Sequence, residues 1–157
     1  MQFSLYTGLR AKELAALRIS DVYDTEGAVR TQFTLSKSQT KGSRARTVFI
    51  NKQLTQQFAA YSKWRHCSDS NAPLFRSQKV GHFSANTMCQ LFINIFHASG
   101  LQSASSHSGR RTFITRLANK GIGVRVLAAL AGHSSIAVTQ LYIDVNDEQL
   151  ANAVELL

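Results

Sequence analysis

Hydrophobic and polar positions recur with two periods along the 157-residue chain, and the helical one dominates. The segment "SANTMCQLFINIFHASG" puts Met88, Leu91, Phe92, Ile95 and Phe96 on one face, behind Ser84, whose hydroxyl suits a helix N-cap. "KQLTQQFAAYSKWRHC" aligns Leu54, Phe58 and Tyr61 in the same way. "VRVLAALAGH" predicts a helix stopped at Gly132, and Ser134 or Ser135 caps the next, "IAVTQLYI". "DEQLANAVELL" aligns Leu150, Val154 and Leu157 in a final helix. Near the start, "TGLRAKELAALRISDV" places a helix start at Thr7-Gly8, with Leu14 and Leu17 on its face. A period of two appears in "AVRTQFTL", where Val29, Thr31, Phe33 and Leu35 alternate with Arg30, Gln32 and Thr34. The polar run "SKSQTKGSRA" then leads into "RTVFI", which completes a hairpin with a long basic tip. "PLFRS" is expected to add one short strand. Together these elements predict an α+β chain, mainly helical, with a small antiparallel β-hairpin. The length suits one domain, and no repeat, low-complexity tract or linker divides it.

One predicted helix breaks its own pattern. In "SSHSGRRTFITRLANKG" the apolar residues Phe113, Ile114 and Leu117 follow Arg110 at i+3, i+4 and i+7, so Arg110 heads the inward stripe, while Arg111 opens a more polar face. A buried guanidinium without a partner is costly, and a helix start adds free N–H groups and a positive dipole end. Both features ask for a phosphate or a carboxylate.

Composition sharpens that request. Lys plus Arg number 18 against 9 Asp plus Glu, a formal charge of +9, which favours a polyanionic partner: nucleic acid first, an acidic membrane surface second. No apolar run approaches the ~18 residues of a membrane span, and arginine and lysine come too early in "MQFSLYTGLRAKEL" for a signal-peptide core. The expectation is an intracellular, cytoplasmic protein with no membrane partner. Cys67 and Cys89 have no metal-like spacing and read as free thiols, and the five histidines offer no metal set. His66, His82 and His97 read as surface or cap residues. The signatures of P-loop, dinucleotide, zinc-protease and serine-hydrolase chemistry are absent.

What remains is a set of polar residues at element ends. Singly, each has a plain reading: Arg10 with Glu13 as an i, i+3 surface pair, His107 as an N-cap, Lys41 as a solvated loop lysine, Tyr142 as a half-buried aromatic. In order, they resemble the boxes of the tyrosine recombinases, the phage-integrase type of site-specific recombinase. "TGLRAKEL" is similar to the first box, with Arg10 as its arginine and Glu13 as the acidic residue three positions on. "TKGSRARTVFI" resembles the lysine-bearing hairpin and assigns the lysine to Lys41, with Lys37 the alternative if the hairpin register differs. His107-Ser-Gly-Arg110 matches H-x-x-R, "LAGHSS" supplies His133, and Tyr142 in "VTQLYIDV" matches the nucleophile.

The resemblance implies a DNA breaking-rejoining catalytic fold and a reaction on double-stranded DNA. Tyr142 would attack the scissile phosphate to give a 3′-phosphotyrosyl link, with Arg10 and Arg110 clamping the non-bridging oxygens. His107 would carry proton traffic, His133 would add a hydrogen bond to the phosphate, and Lys41 would protonate the leaving 5′-oxygen. Glu13 would orient the cationic site. No metal, nucleotide or other cofactor is implied. Lys37, Arg44, Arg46 and Arg111 are the nearest candidates for duplex phosphate contacts, with Lys63, Arg65, Arg76 and Lys79 further out. The family also implies self-association into a synaptic tetramer, in which a C-terminal segment packs on a neighbour. For "NDEQLANAVELL" that reading stands beside a helix folded back on its own domain.

Only nine residues precede Arg10. The whole chain, 1–157, is therefore expected to be a catalytic domain that lacks the family's N-terminal core-binding domain and its first catalytic-domain helices. Gly109 stands where many family members carry leucine, and His133 where some carry tryptophan. Two other functions share much of the pattern: a DNA-binding remnant or accessory module without productive catalysis, and, with weaker support from the box spacings, a type IB topoisomerase-like activity.

Overall fold

The computed structural model of the protein describes residues 2–40, 45–65, 69–78, 81–143 and 147–155. The strongest amphipathic stripe forms a helix, α5 (Ala85–Ala98), and Ser84 caps it by accepting the Thr87 N–H at 3.1 Å. Its Met88, Phe92 and Phe96 are buried, each contributing roughly 1.5–3 kcal/mol of apolar burial. In chain order it is preceded by α1 (Gln2–Thr7), α2 (Ala11–Ala15), α3 (Ile19–Val22), β1 (Gln32–Leu35), β2 (Arg46–Phe49) and α4 (Lys52–Arg65). After it come α6 (Ser108–Ala118), α7 (Val124–Ala131), α8 (Ile136–Gln140) and α9 (Asp147–Val154).

β1 and β2 pair antiparallel with Phe33 opposite Val48 and Leu35 opposite Arg46, forming the expected hairpin. Its tip, Lys41 to Arg44, lies outside the described residues, as does Cys67. α2 packs on α5, and the main core gathers Phe3, Leu14, Leu17, Leu35, Leu54, Leu74 and Phe92 from most of the chain. α6 packs on α1 and α7, and α7 on α8, around a smaller cluster of Ile114, Ala118, Leu127 and Ala131.

Three expectations shift. The first predicted helix does not start at Thr7-Gly8: Thr7 ends the short α1, Gly8 turns the backbone at φ +67°, and α2 begins only at Ala11. Second, "PLFRS" forms isolated bridges, Pro73 to Arg18 and Arg76 to His82, and no strand, because the paired residues do not continue into a ladder. Third, the stripe of α6 is only partly sealed: Arg110 and Ile114 are buried, whereas Phe113 and Leu117 are half-buried against the smaller cluster.

Beside α4 and α5 an apolar groove of about 450 Å³ opens between Tyr61, Trp64, Phe75, Leu91, Phe92 and Ile95. Trp64 on its rim is 74% exposed. No described helix is long and apolar enough to cross a membrane.

Candidate active site

The site begins with the glycine of "TGLR". At φ +67° Gly8 sits in the left-handed region, and a Cβ there would lie 2.6 Å from the Phe113 ring. This turn aims the Gly8 carbonyl at α6, where Arg110 donates to it through Nη1 at 2.6 Å. Arg110 is buried, and its Nη2, also buried, has no hydrogen-bond partner among the described residues. Burial first, and the neighbouring Arg10 second, weaken its hold on its proton to about 9, leaving it cationic at neutral pH.

Arg10 caps the start of α2 with extended backbone (φ −75°, ψ 154°). Its N–H donates to Glu13 Oε2 at 2.8 Å and its Nη1 to Glu13 Oε1 at 3.1 Å. The plain reading of an exposed surface pair fails here, because the Glu13 side chain is fully buried. Glu13 also accepts Arg46 Nη2 at 2.8 Å, so both carboxylate oxygens are occupied. Three guanidinium groups surround one carboxylate, an excess of two positive charges around an unsatisfied donor. An isolated core would not tolerate that arrangement; it suits a site built to receive an anion.

His133 follows Gly132, which ends α7 in the left-handed conformation. The His133 N–H closes on the Ala128 carbonyl at 2.9 Å, and Nδ1 pairs with the buried Thr139 Oγ1 at 2.8 Å. Burial, then the charges of Arg110, Arg10 and Arg46, push the imidazole down from 6.5 to about 4. His133 is therefore neutral at pH 7, with Nε2 as its remaining ring nitrogen for a ligand. Tyr142, just beyond α8, stacks on it with ring centroids 6.1 Å apart at 22°. Arg111 lies over the same phenol ring, its Cζ 5.8 Å from the centroid.

The structure thus brings Arg10, Glu13, Arg110, His133 and Tyr142 into one neighbourhood, drawn from residues up to 132 positions apart. His107 stands at the N-cap of α6, exposed, with helix-like backbone and no side-chain cap bond, so the cap reading of its imidazole is not realised. Lys41 and Arg44 lie outside the described residues. The turn that precedes them in sequence is held at Gln39, whose Nε2 donates to Asp21 Oδ2 at 2.9 Å and to the Ala16 carbonyl at 3.2 Å. Lys37 is exposed on that turn.

Arg46 departs most from expectation. In place of a solvent-facing phosphate contact, its guanidinium points inward, with 10% of the side chain exposed. Thr139 and the Gly8 carbonyl were not among the residues singled out from sequence. For Arg46 a signal existed: it is in phase with the buried Val48 and Ile50, the same inward-pointing arginine that flagged Arg110. Among the described residues no cluster of His, Cys, Asp or Glu could hold a metal ion.

Tyrosine recombinase XerA of Pyrococcus furiosus is 30% identical over 152 residues, covering 95% of this chain and 50% of that protein. Tyrosine recombinase XerD of Yersinia pestis is 31% identical over 150 residues, covering 92% and 48%. The chain spans about half the length of these curated relatives. Among solved structures, the XerA recombinase superposes with a TM-score of 0.76 at 28% identity over 98% of this chain and 54% of that one. The Tn1549 transposon integrase in complex with a circular intermediate DNA gives 0.77 at 25% identity, over 99% and 56%. The family model described as the phage integrase family matches residues 1–149. The chain belongs to the phage integrase family, and its fold is that of a tyrosine recombinase catalytic domain.

Proposed function

We propose that residues 1–157 form the catalytic domain of a site-specific DNA recombinase or integrase that exchanges strands through a 3′-phosphotyrosyl intermediate. The observation that carries this reading is the unsatisfied, buried Nη2 of Arg110 in a cluster of excess positive charge that also holds Tyr142. A phosphodiester gains charge on its non-bridging oxygens as the nucleophile approaches, and preorganised guanidiniums stabilise that gain without reorganising. Arg10 and Arg110 take those oxygens, and neutral His133 donates a further hydrogen bond from Nε2. The phenol Oη of Tyr142 forms the new bond to phosphorus and the bond to the 5′-oxygen breaks.

Two protons need carriers. A phenol with a pKa near ~10 must lose its proton as it attacks, and His107 is the acceptor that the box order assigns. The leaving 5′-oxygen must gain one, and Lys41 is the donor assigned to it. The reaction exchanges one phosphodiester for another, so it is balanced without a nucleotide cofactor, and a 5′-hydroxyl reverses it. The excess basic charge of the chain favours duplex DNA as the partner, with the cytoplasm as the compartment. Strand exchange would take place in a synaptic tetramer of such chains.

The test is a nicked "suicide" duplex pool, from which the cleaved 5′ end diffuses away, incubated with the protein and with Tyr142→Phe. A covalent protein–DNA adduct on a denaturing gel that disappears in the variant is the expected result. An adduct that persists in Tyr142→Phe would assign the nucleophile elsewhere, and none with either protein would sink the strand-transfer reading for this chain.

A further inference from the structure

Arg46 is the cation in the cluster whose donors are turned away from any ligand. Nη1 donates to the Leu130 carbonyl at 2.8 Å and Nη2 to Glu13 at 2.8 Å, while Nε is buried beside Gly132 with no hydrogen-bond partner among the described residues. Leu130 O is one of the carbonyls that the last turn of α7 leaves without a helical partner, and a cation there also meets the negative end of the helix dipole. The stem of the same side chain fills the space beside Gly132: a Cβ at position 132 would lie 2.5 Å from Arg46 Cδ and 2.7 Å from Nε. Gly132 thus answers two demands at once, a φ of +66° and the passage of Arg46. One planar fork ties together the start of β2, the buried Glu13 that holds Arg10, and the corner that ends in His133. A lysine, with one nitrogen, cannot span those two acceptors in a fixed plane.

We infer that Arg46 is a positioning residue, which fixes the distance between the Arg10–Glu13 pair and the His133 corner by clamping α7 to β2. The inference rests on the strand-transfer reading of the cluster for its catalytic consequence, but its geometric core does not. β2 is also the strand on which the hairpin bearing Lys41 returns, so the same clamp sets the root of that hairpin against the arginines.

Arg46→Lys is the informative variant, because it keeps the charge and removes the fork. With the random-sequence nicked duplex pool at saturating DNA, single-turnover adduct formation should slow by about 100-fold, the scale of a roughly 1 Å misplacement. The Kd for the same duplexes should change less than about threefold, with an unchanged salt slope, since no phosphate contact is lost. The His133 ring, followed by NMR, should titrate above its value of about 4, because a loosened corner admits water while the cationic charge stays. A wild-type rate at saturation together with a Kd weakened by more than about tenfold would overturn the inference and make Arg46 a bidentate phosphate contact. An unmoved His133 titration would overturn the clamp itself. Should the wild-type protein form no adduct, the strand-transfer reading fails, while the titration still decides the clamp. Should Arg46→Lys not fold, Gly132→Ala, which leaves Arg46 in place but displaces its stem, is expected to raise the His133 titration in the same way; an unmoved value there counts equally against the clamp.

Discussion

Arg110 holds its charge at a cost to the ligand-free protein, because one of its two terminal nitrogens finds no acceptor among the described residues. Any small oxyanion that reaches Nη2 should therefore stabilise the fold. Inorganic phosphate at ten times its Kd is expected to contribute about 1.4 kcal/mol, a rise in Tm of about 3–5 °C for a domain of this size. Chloride at matched ionic strength should not reproduce the rise, and Arg110→Met should abolish it. His133 makes the opposite demand on protons. Its folded pKa is about 4 against 6.5 in the unfolded chain, so only the unfolded state takes up a proton between those values. The His133 contribution is complete above about pH 6.5 and is lost progressively as the pH falls towards 4. Urea midpoints measured across that window should decline more steeply for the wild type than for His133→Gln.

A glycine inside α6 sets how closely that helix meets α1. α1 and α6 approach closely because Gly109 has no side chain: a Cβ there would lie 2.8 Å from Ser4 Oγ, which donates to the Leu9 carbonyl at 3.0 Å. Gly109→Leu should cost this chain about 1–3 kcal/mol by overpacking, read as a lower urea midpoint. At this scale the sequence was legible where an element carries its own pattern. α4, α5 and the β1–β2 hairpin follow from periodicity, since their apolar faces are long enough to repeat. α1 has six residues, too short for a face to recur, and it holds its place by burying Phe3, Ser4 and Thr7 against the rest of the molecule. The site divides along the same line. The order of Arg10, Arg110, His133 and Tyr142 in the chain singled them out as candidates, and the fold brings them together. The partner of Arg46, Glu13, lies 33 residues away, and the partner of Arg110 is a backbone carbonyl 102 residues away, which no local pattern encodes.

For the whole molecule, the formal charge of +9 is distributed so that some cations are spent internally. Arg110 is buried and the Arg46 side chain is only 10% exposed, whereas Lys37 and Arg111 remain exposed. Duplex affinity should still fall by at least about tenfold between 50 and 200 mM salt, the loss that neutralising two phosphates gives. Titrating random-sequence duplex at both salt concentrations checks this, and a smaller drop would mean that fewer than two exposed cations meet phosphates. α9 leaves Leu150 and Val154 more than half exposed, an apolar face that adds little to the stability of the isolated chain.

The groove beside α4 and α5 gives the protein a built-in optical probe. Trp64 is the one tryptophan in the sequence, it stands on the groove's rim at 74% exposure, and the lining includes none of the cationic cluster, His133 or Tyr142. Its emission should be that of a water-exposed indole, open to quenching by acrylamide. Phosphate arriving at Arg110 should leave the spectrum unchanged, whereas a chain segment settling over the groove should shift it to the blue and shield it. One fluorescence titration can therefore separate occupation of the candidate site at Arg110 from coverage of the apolar groove.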